Sequence, residues 1–200
     1  MHKVGIINLG YGNLGSLYNS ISGFTYNLCI SKNYKELNKS DILVLPGIGS
    51  AGLFSQNLVK SGLKNYLQDH LKRKKPLVAI CLGFQYLFSH TEEDGGVEGL
   101  KVFPEKVIRV NKKIFPSSRT GWYPVSNMKK LGLKANKSSF YFNHAYAVVK
   151  NKKITYEHGY SHSFLAWLKK DNIVGFQFHP EKSQFNGKSV LNFLFGSKYE

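Results

Sequence analysis

The chain has few cysteines, few acidic residues and no long hydrophobic run. Its 200 residues include 2 cysteines and 12 aspartates and glutamates, against 28 lysines and arginines. No apolar run reaches the roughly 18 residues that a membrane-spanning helix needs, so we expect no transmembrane helix. The two thiols, Cys29 and Cys81, are poor evidence for a disulfide framework, and we expect a reducing compartment, the cytoplasm.

Targeting and linker signals are also missing. The first residues lead directly into the apolar run Val4-Gly5-Ile6-Ile7, which predicts a first strand rather than a secretory signal peptide. No repeat or linker-like segment divides the chain. With 42% hydrophobic residues it can bury one substantial core. We therefore predict a single domain covering residues 1–200.

The shortage of acidic residues gives a net charge of +16. A charge of this size could indicate a nucleic-acid partner. The lysines, however, are spread along the chain, and no stripe of regularly spaced basic and aromatic residues occurs. The pattern favours a generically basic, solvated surface over binding of nucleic acid or membrane. An acidic protein partner or a phosphorylated substrate nearby stays open as an alternative.

Strands alternate with helices in the first half. We predict strands at 4–9, 25–30, 41–45 and 77–80 and helices at 16–22, 53–71 and 82–89. Between 97 and 149 the apolar runs are short, aromatic and broken, as in antiparallel strands and loops. Further strands are predicted at 154–158, 164–168 and 174–178, with a closing helix at 189–195. The predicted fold is α/β, with a mostly parallel central sheet flanked by helices and additional antiparallel β structure in the C-terminal half.

A cysteine at the end of a buried strand has the clearest chemistry. Cys81 follows the apolar run 76–80, and Gly83 permits a sharp turn into the predicted helix. A helix N-terminus favours the thiolate, so we predict that Cys81 is a nucleophile. The amide of Leu82 is then half of an oxyanion hole, and the turn 46–49 after a neighbouring strand could contribute the other amide.

A histidine and a carboxylate near the end of the chain supply the partners of this thiol. In the segment 178–182 (FHPEK), Pro180 stiffens the link between His179 and Glu181. We predict that His179 is the base and that Glu181 orients it, which completes a catalytic triad. The other histidines show no metal-ligand spacing, so we predict no metal. A cysteine peptidase or a related hydrolase is an alternative, as is a non-enzymatic interaction subunit.

A glycine-rich segment lies between the first strand and the first helix. Residues 10–15 (GYGNLG) match the dinucleotide fingerprint literally, but no acid ends the second predicted strand to hold a ribose. We interpret the segment as a tight turn at the edge of the active site, and we predict no cofactor.

These segments together resemble the class I (triad) glutamine amidotransferases, and within them the HisH branch, the glutaminase subunits of imidazole glycerol phosphate synthase. The matching segments run from end to end of the chain: Asn8-Leu9-Gly10-Tyr11-Gly12-Asn13-Leu14, Leu45-Pro46-Gly47-Ile48-Gly49, Ile80-Cys81-Leu82-Gly83-Phe84-Gln85, Gly121-Trp122, Tyr141-Phe142-Asn143-His144-Ala145-Tyr146 and Gln177-Phe178-His179-Pro180-Glu181-Lys182-Ser183-Gln184.

The resemblance implies that glutamine is hydrolysed to glutamate through a thioester on Cys81, with release of ammonia. It implies an oxyanion hole shaped by Gly47, Ile48 and Gly49 with Leu82, after a peptide flip that a partner triggers. It implies that glutamine is held by Gln85, His144, Ala145 and Tyr146. It implies that the partner is contacted by Trp122, Tyr141 and Lys182.

The implied partner is a HisF-like (β/α)₈ cyclase that receives the ammonia in a heterodimer and makes imidazole glycerol phosphate and AICAR for histidine biosynthesis. Two places depart from the family: Ala79, where the cysteine elbow usually begins with glycine, and a segment near the partner interface. Members commonly carry Pro-His-x-Gly-Trp-Asn near the partner interface, whereas residues 118–123 here read SRTGWY. The departure keeps open a second partner, a related synthase that amidates or amidinates a surface sugar.

Overall fold

The computed structural model describes residues 2–10, 12–25, 27–110, 118–150 and 153–196. Within these residues the strands are β1 (Val4–Ile7), β2 (Leu28–Ser31), β3 (Ile42–Leu45), β4 (Leu77–Ile80), β5 (Phe88–Thr91), β6 (Val97–Glu98), β7 (Phe103–Arg109), β8 (Arg119–Val125), β9 (Ser138–His144), β10 (Tyr146–Ala147), β11 (Glu157–Ser161), β12 (Phe164–Lys170) and β13 (Ile173–Phe176). The helices are α1 (Leu14–Ser22), α2 (Tyr34–Leu37), α3 (Ala51–Lys60), α4 (Leu63–Lys72), α5 (Leu82–Gln85) and α6 (Gln184–Phe195).

A seven-stranded sheet in the order β11-β12-β13-β4-β3-β1-β2 forms the centre. The strands from β13 to β2 run parallel, and β12 and β11 add antiparallel pairs at one edge. Every residue of β1, β3 and β4 is buried, because helices or strands cover both faces of the sheet. This confirms the predicted fold class.

Alternate residues of the central strands pack into two separate cores. In β4, Val78 and Ile80 face a core that includes residues of α1, α6 and the β8–β9 pair. Leu77 and Ala79 face the opposite core, which includes residues of α3 and α4. The period of two follows from strand geometry, in which successive side chains point to opposite faces.

Two smaller sheets lie outside the central one. One has four strands in the order β10-β7-β5-β6, and the other is the antiparallel pair β8–β9. The β8–β9 register sets Arg119 opposite His144 and Trp122 opposite Tyr141. This pairing brings the surface predicted to meet a partner close to the predicted glutamine-binding segment.

Several predicted boundaries were wrong. The helix predicted at 53–71 is two helices, α3 and α4, separated at Gly62, whose φ of +71° is left-handed. The helix predicted at 82–89 ends at Gln85, because Phe88 begins a strand that pairs with β7. Helix α6 begins at Gln184 rather than at 189, and the short helix α2 was not predicted. Among the described residues, no helix is long and apolar enough to cross a membrane.

Candidate active site

Cys81 occupies a strained turn between β4 and α5. Its φ of +54° and ψ of −110° lie outside the regions that side-chain-bearing residues favour, a conformation that costs roughly 1–3 kcal/mol. The backbone around it holds the strain, since the Cys81 amide donates to the Phe176 carbonyl at 2.7 Å and the Cys81 carbonyl accepts from the Gln85 amide at 3.0 Å. Helix α5 has a single turn, so its dipole is smaller than the predicted longer helix would have supplied.

Two glycines let the loops of the site touch. A Cβ on Gly83 would lie 2.2 Å from the Leu45 carbonyl oxygen, and a Cβ on Gly47 would lie 2.4 Å from the Gly83 nitrogen. Both positions therefore require glycine for close backbone approach. The contact lets the Leu82 amide donate to the Gly47 carbonyl at 3.3 Å, so the predicted oxyanion donor is occupied by another residue of the predicted hole.

His179 and Glu181 form a buried pair. His179 Nδ1 lies 2.8 Å from Glu181 Oε1, and their side chains are only 3% and 9% exposed. Because the carboxylate can only accept, Nδ1 carries the proton and Nε2 is left for other chemistry. The second carboxylate oxygen of Glu181 is buried and has no hydrogen-bond partner.

The electrostatics of His179 favour its protonated form. Burial of the ring lowers its pKa, but the charge of Cys81, a hydrogen bond with Cys81 and the Glu181 carboxylate outweigh burial and raise the pKa of His179 to about 10. The thiol and the imidazole are thus in contact, and a charged sulfur stabilises the protonated ring of His179. A thiolate–imidazolium pair is the form of this site that is ready for nucleophilic attack.

A cleft of about 400 Å³ opens over Cys81, within the size range of small-molecule sites. It brings together most of the residues predicted for the site: Cys81, Leu82, His179, Lys182, Ile48, Gly49, Gln85, His144, Ala145 and Tyr146. Gly47 lines a neighbouring cavity of about 30 Å³ instead, beside Glu181 and Gly12 of the glycine-rich segment. Tyr11 of that segment lies outside the described residues.

The cleft also contains residues that sequence reasoning missed, namely Glu93, Ser118 and Asn143. Glu93 offers a carboxylate to the cleft, and burial, followed by the neighbouring charge of Asp94, raises its pKa. The acidic run 92–94 was visible in the sequence, but nothing in it indicated that β5 and the following turn would reach the cleft.

A second hydrogen-bonded group lies behind the nucleophile. Gln177, fully buried, has its Nε2 3.9 Å from Cys81 Sγ. Gln85 Nε2 donates to Gln177 Oε1 at 3.0 Å and to the Tyr146 carbonyl at 2.7 Å. That carbonyl also accepts from Nδ1 of His144 at 2.9 Å, and burial, then the charge of Arg119, lowers the pKa of His144 to about 3, so His144 is neutral.

The three residues predicted to meet a partner lie side by side at the rim. Trp122 is 45% exposed, and its ring is edge-on to Tyr141 with the centroids 6.2 Å apart. Lys182 Nζ lies 5.7 Å from the Tyr141 ring centroid. The Tyr141 carbonyl accepts from the His179 amide at 2.9 Å, so this surface is joined directly to the candidate triad.

The segment that departs from the family is a packed unit. The guanidinium of the fully buried Arg119 stacks 4.3 Å from the centroid of the Tyr123 ring and 4.4 Å from that of the Phe142 ring. Arg119 also donates to Ser161 Oγ. Arg119 and Tyr123, two of the three residues at which the segment differs from the motif given above, therefore contact each other.

In the part of the chain that the structure describes, no three His, Cys, Asp or Glu residues are close enough together to hold a metal ion. The polar side chains that line the cleft supply a thiol, two imidazoles, two amides, two hydroxyls, one carboxylate and one lysine. Such a set suits acyl transfer from an amide or ester more than hydride or phosphoryl transfer.

Comparisons with known proteins agree with this chemistry. A family model described as Glutamine amidotransferase class-I matches residues 11–197. Imidazole glycerol phosphate synthase subunit HisH 1 of Campylobacter jejuni is 35% identical over 198 residues, covering 96% of this chain and 98% of the relative. Subunit HisH of Pyrococcus furiosus is 36% identical over 201 residues, covering 96% and 97%. A crystal structure of a glutamine amidotransferase has the same fold, with a TM-score of 0.73 at 15% identity over 96% of this chain and 96% of that one.

Proposed function

Because this chain belongs to the class-I glutamine amidotransferase family, we propose that it is a glutaminase subunit, a single domain that hydrolyses L-glutamine to L-glutamate and ammonia for a partner synthase. The observation that carries the proposal is the cleft shared by Cys81 and His179, with Glu181 hydrogen-bonded behind the imidazole. Cys81 is the nucleophile, His179 the acid and base, and Glu181 the residue that orients His179.

In the first half-reaction the thiolate of Cys81 forms a bond to the side-chain amide carbon of glutamine. The tetrahedral intermediate collapses when His179 gives its Nε2 proton to the amide nitrogen, the C–N bond breaks and ammonia departs. Glu181 keeps its hydrogen bond to Nδ1 throughout and stabilises the imidazolium before that proton leaves. The product on the enzyme is a glutamyl thioester.

In the second half-reaction a water molecule attacks the thioester carbonyl and gives one proton to the now neutral His179. The C–S bond then breaks, glutamate leaves, and the thiolate–imidazolium pair is restored. The raised pKa of His179 suits this cycle, because the ring takes up a proton readily each time the adjacent thiolate returns.

Binding of glutamine requires polar contacts to the two charged groups of the amino acid. The carboxylate of Glu93 lines the cleft and is suited to the α-ammonium group. We assign the rest of the substrate to Gln85 and to the backbone of His144, Ala145 and Tyr146, which line the same cleft. Lys182 also lies on the lining, but its contact with the Tyr141 ring places it with the docking surface, so we assign it to the partner.

The state of the oxyanion hole supports activation by the partner. The Gly47 carbonyl accepts from the Leu82 amide, so this amide is not free to donate to an oxyanion. The Ile48 N–H belongs to the same peptide unit and points away from that carbonyl, because the peptide is planar and trans. Rotation of the unit by about half a turn frees the Leu82 amide and brings in the Ile48 N–H, which gives the hole two donors.

The partner we propose is a (β/α)₈ cyclase that docks on Trp122, Tyr141 and Lys182. Two relatives that match nearly the whole chain are named as subunits of imidazole glycerol phosphate synthase, which supports ammonia channelling to the lyase reaction of histidine biosynthesis. Binding favours the rotated peptide only by binding that state more tightly. Both cysteines are free thiols, and a nucleophilic thiol is preserved in a reducing cytoplasm.

The packed pair Arg119–Tyr123 favours a second candidate partner. Both residues lie in β8, the strand that carries Trp122, and the two replacements fit each other because the fully buried Arg119 stacks on Tyr123. A related synthase that amidates or amidinates a surface sugar is therefore the alternative acceptor of the ammonia.

Glutamate release by the wild type and by Cys81→Ala tests the function, each measured alone and with the histidine-pathway cyclase of the same cell plus its nucleotide ligand. We expect strong stimulation by the cyclase and no turnover in Cys81→Ala. Turnover that requires Cys81 but is not stimulated by the cyclase would favour the alternative partner. Turnover that persists in Cys81→Ala would contradict the proposed chemistry.

A further inference from the structure

We propose that the side-chain N–H of Gln177 stabilises the thiolate of Cys81 by a hydrogen bond. The backbone carbonyl of Tyr146 orients Gln85, and Gln85 in turn orients the amide of Gln177. The proposal rests on the proposed function only in that it treats Cys81 as the nucleophile, and the contacts that support it are buried or partly buried. Gln177 is absent from the lining of the cleft, so it reaches the reacting sulfur from behind and does not contact the substrate.

The orientation of the two amides follows from one fixed group. The Tyr146 carbonyl can only accept, so the atom of Gln85 that lies 2.7 Å from it is the nitrogen. The same nitrogen lies 3.0 Å from Gln177, so the facing atom of Gln177 is its oxygen. The remaining atom of that amide, Nε2, is then the one that lies 3.9 Å from Cys81 Sγ. A carbonyl two side chains away thus selects a donor for the sulfur.

A competing group makes this selection consequential. Cys81 Sγ also lies 3.9 Å from the Asn143 carbonyl, which can accept from a thiol but repels a thiolate. Gln177 Nε2 acts in the opposite sense because a donor favours the charged sulfur. With the amide of Gln177 removed or reversed, the sulfur loses this donor and keeps the Asn143 carbonyl as a neighbour, so it holds its proton more tightly.

The titratable groups around Cys81 stay the same when Gln177 is changed. His179 contacts the thiol from the turn after β13, and Glu181 acts through it. Across the cleft lie His144 from β9, Glu93 from the turn before β6, and Lys182. A difference between variants in the pH dependence of the thiol therefore reports the amide.

The test is the pH profile of Cys81 alkylation by iodoacetamide, followed by mass spectrometry of the two cysteine peptides. Cys29 is an internal control, because it lies in the edge strand β2, separated from β4 by two strands, and contacts Ser40. In Gln177→Met, which keeps the length of the side chain without its donor, we expect the midpoint for Cys81 to rise by about one pH unit, or about tenfold slower alkylation at low pH. Gln177→Glu turns an anion toward the sulfur and is expected to raise the midpoint further.

A separate variant tests whether a loss of stability alone changes the alkylation midpoint of Cys81. Leu58→Ala removes a buried side chain in α3, on the other face of the sheet, and should lower Tm without moving the Cys81 midpoint. If Gln177→Met does not fold, Gln85→Met carries the test, since a freed Gln177 amide can turn its oxygen toward the thiol and raise the midpoint. An unchanged Cys81 midpoint in a folded variant of either residue would overturn the proposal.

Failure of this inference is distinguishable from failure of the proposed function, because alkylation needs neither glutamine nor a partner. If the enzyme hydrolyses glutamine but substitution of Gln177 leaves the pH profile of Cys81 alkylation unchanged, the proposed chain of hydrogen bonds through Gln85 and Gln177 is wrong and the proposed function stands. A Gln177-dependent profile in a protein with no glutaminase activity would reject the function alone. In the active enzyme we also expect kcat to fall in Gln177→Met with KM unchanged, since Gln177 does not line the cleft.

Discussion

Replacement of Gly47 by alanine should disable the oxyanion hole. The new Cβ would lie 2.4 Å from the nitrogen of Gly83 and 2.8 Å from Cβ of Leu82. Gly83 cannot retreat, because its own backbone is packed against the Leu45 carbonyl. The turn that carries Gly47 must therefore move by about 1 Å, the gap between 2.4 Å and the 3.4 Å at which ordinary contacts begin.

A shift of this size has a predictable effect on catalysis. A misplacement of about 1 Å costs on the order of 100-fold in rate, and loss of one oxyanion-hole donor costs about 10²–10³ in kcat. We expect kcat to fall by at least about 100-fold with little change in KM, since the donors act on the transition state. Overpacking should also lower the free energy of unfolding by about 1–3 kcal/mol.

The assay is glutamate release in the presence of the partner, with Tm measured on the same samples. Gly23→Ala is the matched control, because its φ of −68° suits alanine and nothing lies within 4 Å of the added Cβ. The control should keep both kcat and Tm. Wild-type kcat and Tm in Gly47→Ala would refute the reasoning, since they would mean that the turn does not press on the nucleophile elbow.

Two further predictions concern acid stability and partner binding. Burial lowers the pKa of His144 from 6.5 to about 3 in the folded protein. Between these two values the unfolded chain binds a proton at His144 and the folded protein does not. The free energy of unfolding therefore falls as the pH falls through this range, by about 1.4 kcal/mol per pH unit. Urea unfolding near pH 7 and pH 5 should show a smaller acid loss in His144→Gln than in the wild type, and an equal loss would contradict the assignment. Trp122→Ala should raise the Kd for the partner by about 30-fold or more, as for an exposed aromatic anchor. The affinity is measured by titration calorimetry, with Val59→Ala in α3, a similarly exposed apolar residue, as the control. Equal affinities of the two variants would show that the partner docks elsewhere.

The central strands were predictable because their physics is local. β1, β3 and β4 are short apolar runs, and a strand that is buried on both faces of a parallel sheet has that pattern. The break at Gly62 was hidden because leucines continue at helical spacing on both sides of it. The strand beginning at Phe88 was missed because its partner, Phe103, lies well along the chain.

The candidate site divides along the same line. Cys81, His179 and Glu181 stand in segments whose residue types and spacing already indicate their chemistry. Gln177 could not be identified in this way, because its contacts join residues 92 and 96 positions apart. Such contacts arise only after β4 and β13 have paired, and no local pattern in a single sequence encodes them.

Hydrolysis of glutamine through a thioester on Cys81 can be observed directly. Acid quenching of the enzyme–partner complex during turnover, followed by mass spectrometry of the Cys81 peptide, tests it directly. With isotopically labelled glutamine we expect a labelled glutamyl adduct on Cys81 that appears with ammonia release and loses its label on chase with unlabelled glutamine. Release of ammonia at the full rate with no adduct on Cys81, or with an adduct on another residue, would contradict it.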